Sequence, residues 1–525
     1  MPHYDAIVIG AGHNGLAAAA TLAGAGKKVV VLEKNDMPGG MAANMTISPG
    51  FDCPAMAHLL TNLDGAEIAA LGLEKHGFAY AATDLPTVSL SPDGKHVVFD
   101  AKGVYYAGGD ALADGGEFIA LRARLIRFAE KLAELKRKPP PSLSGIDWRE
   151  AASLGKLALG LRRMGKEDMR EFLRVLLSNS YDTILDEIED GPLAGAFALD
   201  SVLGGHIGPR SPGTVLNLMY RLANGGAKHL PKGGMGAVAR AFEASAKSAG
   251  AEIRFGVAVD RMLVEGDRVT GVALADGTEI SGARVLSSLD AKTTMVLAGV
   301  RNFDAEMIRR ARHIRTKGCT AKVNLALSAA PVFTGLPDDL HRGRILHAPS
   351  LAAMEKAFNR AKYGELPTSP ILEVTIPSLS DPGLVDPSLV DGNGHVLSAV
   401  VQYVPYGLKQ GWSDDSRNAL GDIVVDCLGQ FAPGLKAGVI ARQVLSPADI
   451  EAATGAPSGH WHHGELIADQ MLMLRPAPGI ERYALPVEGL FLCGASAHPG
   501  GDVTGIPGSN AAKAALQVKL GRAAA

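Results

Sequence analysis

Cysteine is scarce in this chain. Its 525 residues include four, Cys53, Cys319, Cys427 and Cys493, with no CxxC pair and no metal-ligand spacing. That pattern excludes a dithiol redox centre and a cysteine-built metal site, and predicts buried structural thiols in a reducing compartment. Aromatic residues are also few, at 5%. Neither charge sign dominates: the formal net charge is −3. No long basic or acidic run offers a nucleic-acid surface. No stretch reaches the roughly 18 uninterrupted apolar residues of a membrane span. The N-terminus runs straight into a strand pattern and lacks the tripartite layout of a secretory leader. These absences predict a cytoplasmic protein with no nucleic-acid partner. They leave peripheral membrane contact and homo-oligomerisation open.

Glycine is abundant, at 63 residues. It gathers in short loops, which suits backbone that must approach a ligand closely. Hydrophobic residues make up 47%, enough for a large core. The length predicts two to four domains.

The first glycine loop follows residues 4–9 (YDAIVI), a short apolar run that reads as a buried parallel strand. Gly10, Gly12 and Gly15 form a G-x-G-x-x-G turn, and Leu16–Ala25 read as a small-residue helix. Residues 28–32 (KVVVL) read as a second buried strand, and Glu33 stands at its end, 18 residues after Gly15. The turn brings a diphosphate to a helix N-terminus, and the carboxylate accepts hydrogen bonds from ribose hydroxyls. Glu33 would repel a 2′-phosphate, so NADP is disfavoured. Lys34 follows directly. Gly39-Gly40 come six residues after Glu33, then Met41.

Further along, residues 110–180 read as mostly helical. Leu154–Leu177 form one basic amphipathic stretch with Arg162, Arg163, Lys166, Arg170 and Arg174. It is a solvated face over a packed stripe, or a lid or membrane-surface patch. A second glycine loop (KGGMG, 232–236) precedes a predicted helix, 237–249, and strand–turn–strand from 252 to 286, with a hairpin signal at Asp276-Gly277. Residues 490–493 read as another buried strand, Gly494–Gly508 as a third glycine loop, and Ser509–Lys519 as a closing helix.

The Gly-Gly pair in EKNDMPGGM, the segment ending in VDRM at 259–262 and the ending GLFLCGASAHPGGDVTGIPGSNAAKAAL (489–516) resemble the FAD-binding motifs of the amine oxidase superfamily. GAGHNGL, HGELIADQMLMLRP and AHPGGDVTGIPG further resemble its phytoene desaturase-like and carotenoid ketolase-like branch, which includes the pyridine nucleotide-disulfide oxidoreductase domain-containing proteins. The resemblance spans nearly the whole chain and is weaker in the middle. It implies an α/β fold in which a Rossmann-type FAD domain is interleaved with a mixed α+β substrate domain. It implies FAD held non-covalently by Gly10, Gly12, Gly15, Glu33, Lys34, Gly39, Gly40, Met41, the backbone of Val259, Gly494, Asp502, Val503 and Thr504. The family has arginine after the Gly-Gly pair, whereas this chain has Met41. The implied FAD domain comprises 1–80, 228–298 and 480–525. The substrate domain comprises 81–227 and 299–479, with the helical insertion 110–180.

The implied activity is that of an FAD-dependent oxidoreductase taking hydride from a hydrophobic, isoprenoid-like substrate, with O₂ or a quinone as acceptor. Alternatives are an amine or alcohol oxidase, or a flavin-binding scaffold with little turnover. No metal is expected. Histidine titrates near neutral pH and is the natural acid or base. His58 and His463 are the candidates, and His460, His462 and His498 lie in nearby motifs.

Overall fold

The computed structural model describes residues 3–141, 148–390 and 393–518. The strand Ala6–Ile9 is buried along its whole length. It has no polar alternation because a central parallel strand is covered on both faces. The chain turns into the helix His13–Gly24 and returns as Val29–Leu32, parallel to the first strand.

These two strands sit inside a five-stranded parallel sheet. Its order is Glu252–Arg254, Val29–Leu32, Ala6–Ile9, Val285–Ser287 and Leu490–Leu492. Three segments distant in sequence therefore build one sheet. The helix His13–Gly24 packs against Gly234–Ser248 and Ile506–Gln517. A Cβ on Gly508 would meet the Asn14 carbonyl oxygen at 1.8 Å, so small residues are needed where these two helices touch.

The expected strand–turn–strand of 252–286 is richer than its pattern suggested. Its two ends join the parallel sheet. Between them, Val259–Glu265, Arg268–Leu274 and Glu279–Gly282 form an antiparallel layer. Asp276-Gly277 does turn the chain there, with Gly277 at φ +86°. Phe303, Met307, Ala311 and Ile314 also pack into the nucleotide core. That core therefore reaches past residue 298.

The second unit is an eight-stranded mixed sheet. Its order is Val439–Leu445, Thr320–Leu327, His395–Gln402, Ile371–Thr375, Arg344–His347, Thr87–Ser89, Val97–Asp100 and Gly103–Tyr106. Alternation along these strands separates two faces. One carries Val323, Leu325, Val374, Leu397 and Ala399 into a core with Leu420, Val424 and Leu428 of the helix Asp414–Gly429. The other carries polar residues, Lys322, Asn324, Glu373, Thr375 and Ser398, all buried.

A helical layer, with Gly115–Arg137, Pro192–Val202 and Thr214–Leu222, joins the two units. The basic amphipathic stretch 154–177 falls on two helices, Trp148–Arg162 and Lys166–Leu176. Gly165, at φ +93°, breaks it. The closing helix starts at Ile506, three residues before the predicted Ser509, and the predicted end at Lys519 lies outside the described residues. Among the described residues, no helix is long and apolar enough to cross a membrane.

Candidate functional site

The three glycines of the first turn have different reasons to be glycine. A Cβ on Gly10 would meet Ser288 Oγ at 2.3 Å, and one on Gly15 would meet the Gly10 carbonyl oxygen at 2.1 Å. Both are demanded by the protein's own packing. A Cβ on Gly12 would meet nothing within 4 Å. Gly12 is the N-cap of the helix His13–Gly24, with no side-chain cap and no acidic residue in the first turn. Its free N–H groups and positive dipole end face an open cleft.

That cleft, counted out to open solvent, spans about 1510 Å³. At one end lie Glu33, Lys34, Asn35, Val257 and Val259. Glu33 accepts from Ala11 N at 2.7 Å and from Asn35 N at 3.0 Å. These two donors fix the carboxylate and leave lone pairs for further donors. The middle is lined by Gly10, Gly12, Gly39, Gly40, Met41 and Gly494. The far end is lined by His58, Glu373, Arg221, Trp461, His463, Asp502 and Val503. Gly15 and Thr504 do not line the cleft. Gly15 packs inside the turn, and Thr504 accepts from Ile506 N at 3.2 Å at the start of the last helix.

Several buried polar atoms of cleft residues have no partner: His13 Nε2, Asn14 Oδ1, Trp461 Nε1, both ring nitrogens of His462, and His463 Nδ1. Each such atom costs about 1–3 kcal/mol unless something pairs with it. Together with the open Gly12 and the oriented Glu33, they fit a dinucleotide cofactor. Glu33 and Lys34 would take the adenosine end, and Gly12 the diphosphate. The redox ring must then lie at the far end, because the diphosphate separates the two halves of the molecule.

The two candidate histidines differ. His58 is buried, and protein groups engage both its nitrogens. Nε2 donates to Glu373 Oε1 at 3.0 Å, while Nδ1 faces Ser398 Oγ at 3.2 Å and Thr375 Oγ1 at 3.4 Å. Burial pushes its pKa down to about 4. Burial opposes charge on Glu373 as well, but Arg344 and then His58 outweigh it and hold the carboxylate ionised. Arg344 binds Glu373 Oε2 at 2.5 Å and Asp200 at 2.7 Å, and Asp200 lies 3.4 Å from Lys228. His463 has φ +53°, and burial lowers its pKa to about 4. Its Nδ1 stays unpaired at the cleft wall.

Sequence reasoning missed Glu373, Arg344, Asp200, Arg221, Lys136, Asn62 and Lys322. The signal for three of them was a lone charge inside an otherwise apolar strand: Glu373 in ILEVT, Arg344 in RILH and Lys322 in TAKVNLAL. Lys322 and Glu373 flank Val400 on one face of the large sheet. Burial lowers the Lys322 pKa to about 7, and its Nζ has no hydrogen bond. All four cysteines are buried and free, and among the described residues no cluster could hold a metal ion.

The buried histidines make acid stability predictable. His13, His58, His206 and His463 all have pKa values lowered to about 4, mainly by burial. In the unfolded chain they titrate near 6.5. Below that pH the unfolded state binds protons that the folded state refuses, so stability present above pH 6.5 falls towards pH 4. Each such group removes about 1.4 kcal/mol per pH unit in that window. Urea unfolding of the apoprotein at pH 7.5, 6 and 5 should show steadily lower midpoints. A flat profile would contradict neutral burial of these rings.

The chain matches the family model described as flavin containing amine oxidoreductase over residues 15–509. It is 31% identical to pyridine nucleotide-disulfide oxidoreductase domain-containing protein 2 of Mus musculus, over 97% of this chain and 93% of that one. It is 27% identical to a limonene dehydrogenase subunit of Castellaniella defragrans, over 98% and 94%. Its fold matches an oxidoreductase from Methanosarcina mazei with a TM-score of 0.60 at 18% identity, covering 98% of this chain and 100% of that one. With the dinucleotide cleft, these likenesses show that the chain belongs to the flavin-containing amine oxidoreductase family and is an FAD-dependent oxidoreductase of α/β fold.

Proposed function

We propose that the protein dehydrogenates an apolar, isoprenoid-like substrate on non-covalently bound FAD, with O₂ or a quinone as the final acceptor. One observation carries this reading. The dinucleotide cleft is one continuous pocket in which the apolar groups Met41, Met56, Leu59, Leu203, Leu289 and Trp461 stand beside the polar His58, Arg221, Glu373 and Asp502. The apolar part of that lining suits a hydrocarbon body. The relative named as part of a limonene dehydrogenase supports the same substrate class.

Bound flavin supplies the hydride acceptor. The chain's own residues orient and desolvate. Glu33 would hold the ribose end, and the N-terminus of the helix starting at His13 would hold the diphosphate. The His58–Glu373–Arg344 set keeps the far wall rigid, since both His58 nitrogens are engaged by protein groups. Cys493 supports non-covalent binding: it is fully buried and does not line the cleft.

A second reading, oxidation of an alcohol or amine, is favoured by His463. Its neutral imidazole keeps Nδ1 free at the cleft wall and could take a proton from an O–H or N–H. Anaerobic mixing of the FAD-loaded protein with limonene, a linear isoprenoid alkene, a secondary alcohol and a primary amine tests both readings. Bleaching of the flavin absorbance by an alkene supports the first. Bleaching by the alcohol or amine alone, lost in His463→Ala with FAD retained, supports the second. Flavin that no probe reduces points to a scaffold. Acid precipitation should leave the yellow colour in the supernatant.

A further inference from the structure

The helix Gly115–Arg137 belongs to the insertion, yet its last turn reaches the far end of the cleft. Lys136 is buried there. Its Nζ donates to Asn62 Oδ1 at 2.9 Å and to the Tyr220 carbonyl at 3.3 Å, and it lies 3.9 Å from the centroid of the Tyr220 ring. Asn62 Nδ2 in turn donates to Asp502 Oδ2. Asp502 Oδ1 faces Arg221 Nη2 at 3.8 Å. Asp502 itself lines the cleft in the left-handed region, at φ +71°. The Tyr220 hydroxyl donates to the Gly501 carbonyl at 2.9 Å, and the Leu135 carbonyl accepts from His498 Nε2 at 2.7 Å. Two helices thus grip the turn that carries Asp502.

Direction along this chain is set by chemistry. An ammonium can only donate, so it commits the Asn62 oxygen to Lys136 and turns the Asn62 NH₂ group to Asp502. A carboxylate can only accept, so that orientation suits it. Removing the ammonium leaves the Asn62 oxygen without its donor and loosens the amide that holds Asp502. It also removes one of the cations that balance a buried anion in low dielectric.

We propose that Lys136 is a positioning residue that acts through Asn62 to set the geometry and charge of Asp502 at the redox end of the cofactor, and so raises the flavin's midpoint potential. The inference rests on the FAD reading of the cleft. Reduction adds negative charge to the flavin, and an Asp502 stripped of Lys136 opposes that addition more strongly. Burial opposes ionisation of Asp502, but Arg221, His462 and Asn62 outweigh it, so the carboxylate is ionised.

The test is the two-electron midpoint potential of the FAD-loaded protein, measured anaerobically against a reference dye. Lys136→Met should retain FAD, shift the visible flavin bands and move the potential in the negative direction. Lys136→Arg should recover part of the shift. Asn62→Leu should lower the potential by itself, and Lys136→Met added to it should lower it further by less than Lys136→Met does alone. If Lys136→Met fails to fold, Asn62→Leu and Lys136→Arg decide: the first must lower the potential, and the second must stay nearer the parent. An unchanged potential in FAD-loaded Lys136→Met or Asn62→Leu overturns the proposal, as does full additivity of the two changes. Failure of the parent protein to take up FAD would overturn the cofactor reading instead.

Discussion

Gly12→Val should abolish FAD binding while leaving the apoprotein as stable as the parent. Gly12 sits at φ −68° and ψ 162°, extended backbone that any residue adopts. A Cβ there meets no protein atom within 4 Å. The fold therefore leaves room at this Cβ for a larger side chain. The valine methyls would instead fill the space through which a diphosphate approaches the N–H groups of the helix His13–Gly24. Loss of that approach should weaken FAD by more than about 100-fold, or about 3 kcal/mol. Titration calorimetry with FAD and thermal unfolding of the apoprotein measure the two quantities separately. Gly15→Val is the contrast. Its Cβ would lie 2.1 Å from the Gly10 carbonyl oxygen, so it should destabilise the apoprotein itself. Tight FAD binding by Gly12→Val would place the diphosphate elsewhere.

Arg344→Met should destabilise the protein by about 3–5 kcal/mol, because it strands Glu373 in a buried site without its cation. Arg344 is fully buried and binds two carboxylates, Glu373 and Asp200. The two anions do not suffer equally. Asp200 keeps Lys228 at 3.4 Å, whereas Glu373 keeps a hydrogen bond from the neutral His58 at 3.0 Å and the weaker pull of Arg221. Glu373→Gln removes the stranded charge and leaves an oxygen to accept from His58. The double variant Arg344→Met/Glu373→Gln should therefore recover part of the loss. Urea unfolding of both single variants and the double variant closes the cycle and isolates the pair's coupling. A single Arg344→Met variant whose stability matches the parent's would show that this wall is open to water. Because Glu373 lines the cleft, the single variant should also lose the rigid placement of His58.

Much of the cofactor half was legible in the chain itself. Short-range patterns carried it: a buried apolar run, a glycine turn, a small-residue helix and a terminal carboxylate all fall within about thirty residues. The cleft accordingly brings together Gly10, Gly12, Glu33, Lys34, Gly39, Gly40, Met41, Val259, Gly494, Asp502 and Val503. Gly15 and Thr504 share those motifs but serve the backbone beside the cleft, and the third glycine of such a turn is the one that admits close helix packing. The break at Gly165 was hidden, because the amphipathic pattern runs across it without a lapse in period.

The substrate end was not legible in the same way. Its wall pairs His58 with Glu373, 315 positions later, and Lys136 with Asn62, 74 positions away. A lone charge in an apolar strand shows only that something must balance it. Which residue does so depends on strand register in the eight-stranded sheet and on where the insertion helix docks. The sequence by itself determined a dinucleotide with free ribose hydroxyls and, by resemblance, FAD. Only the tertiary structure decided which buried charges line the cleft, since local pattern sets strands and turns while long-range packing sets which of them meet.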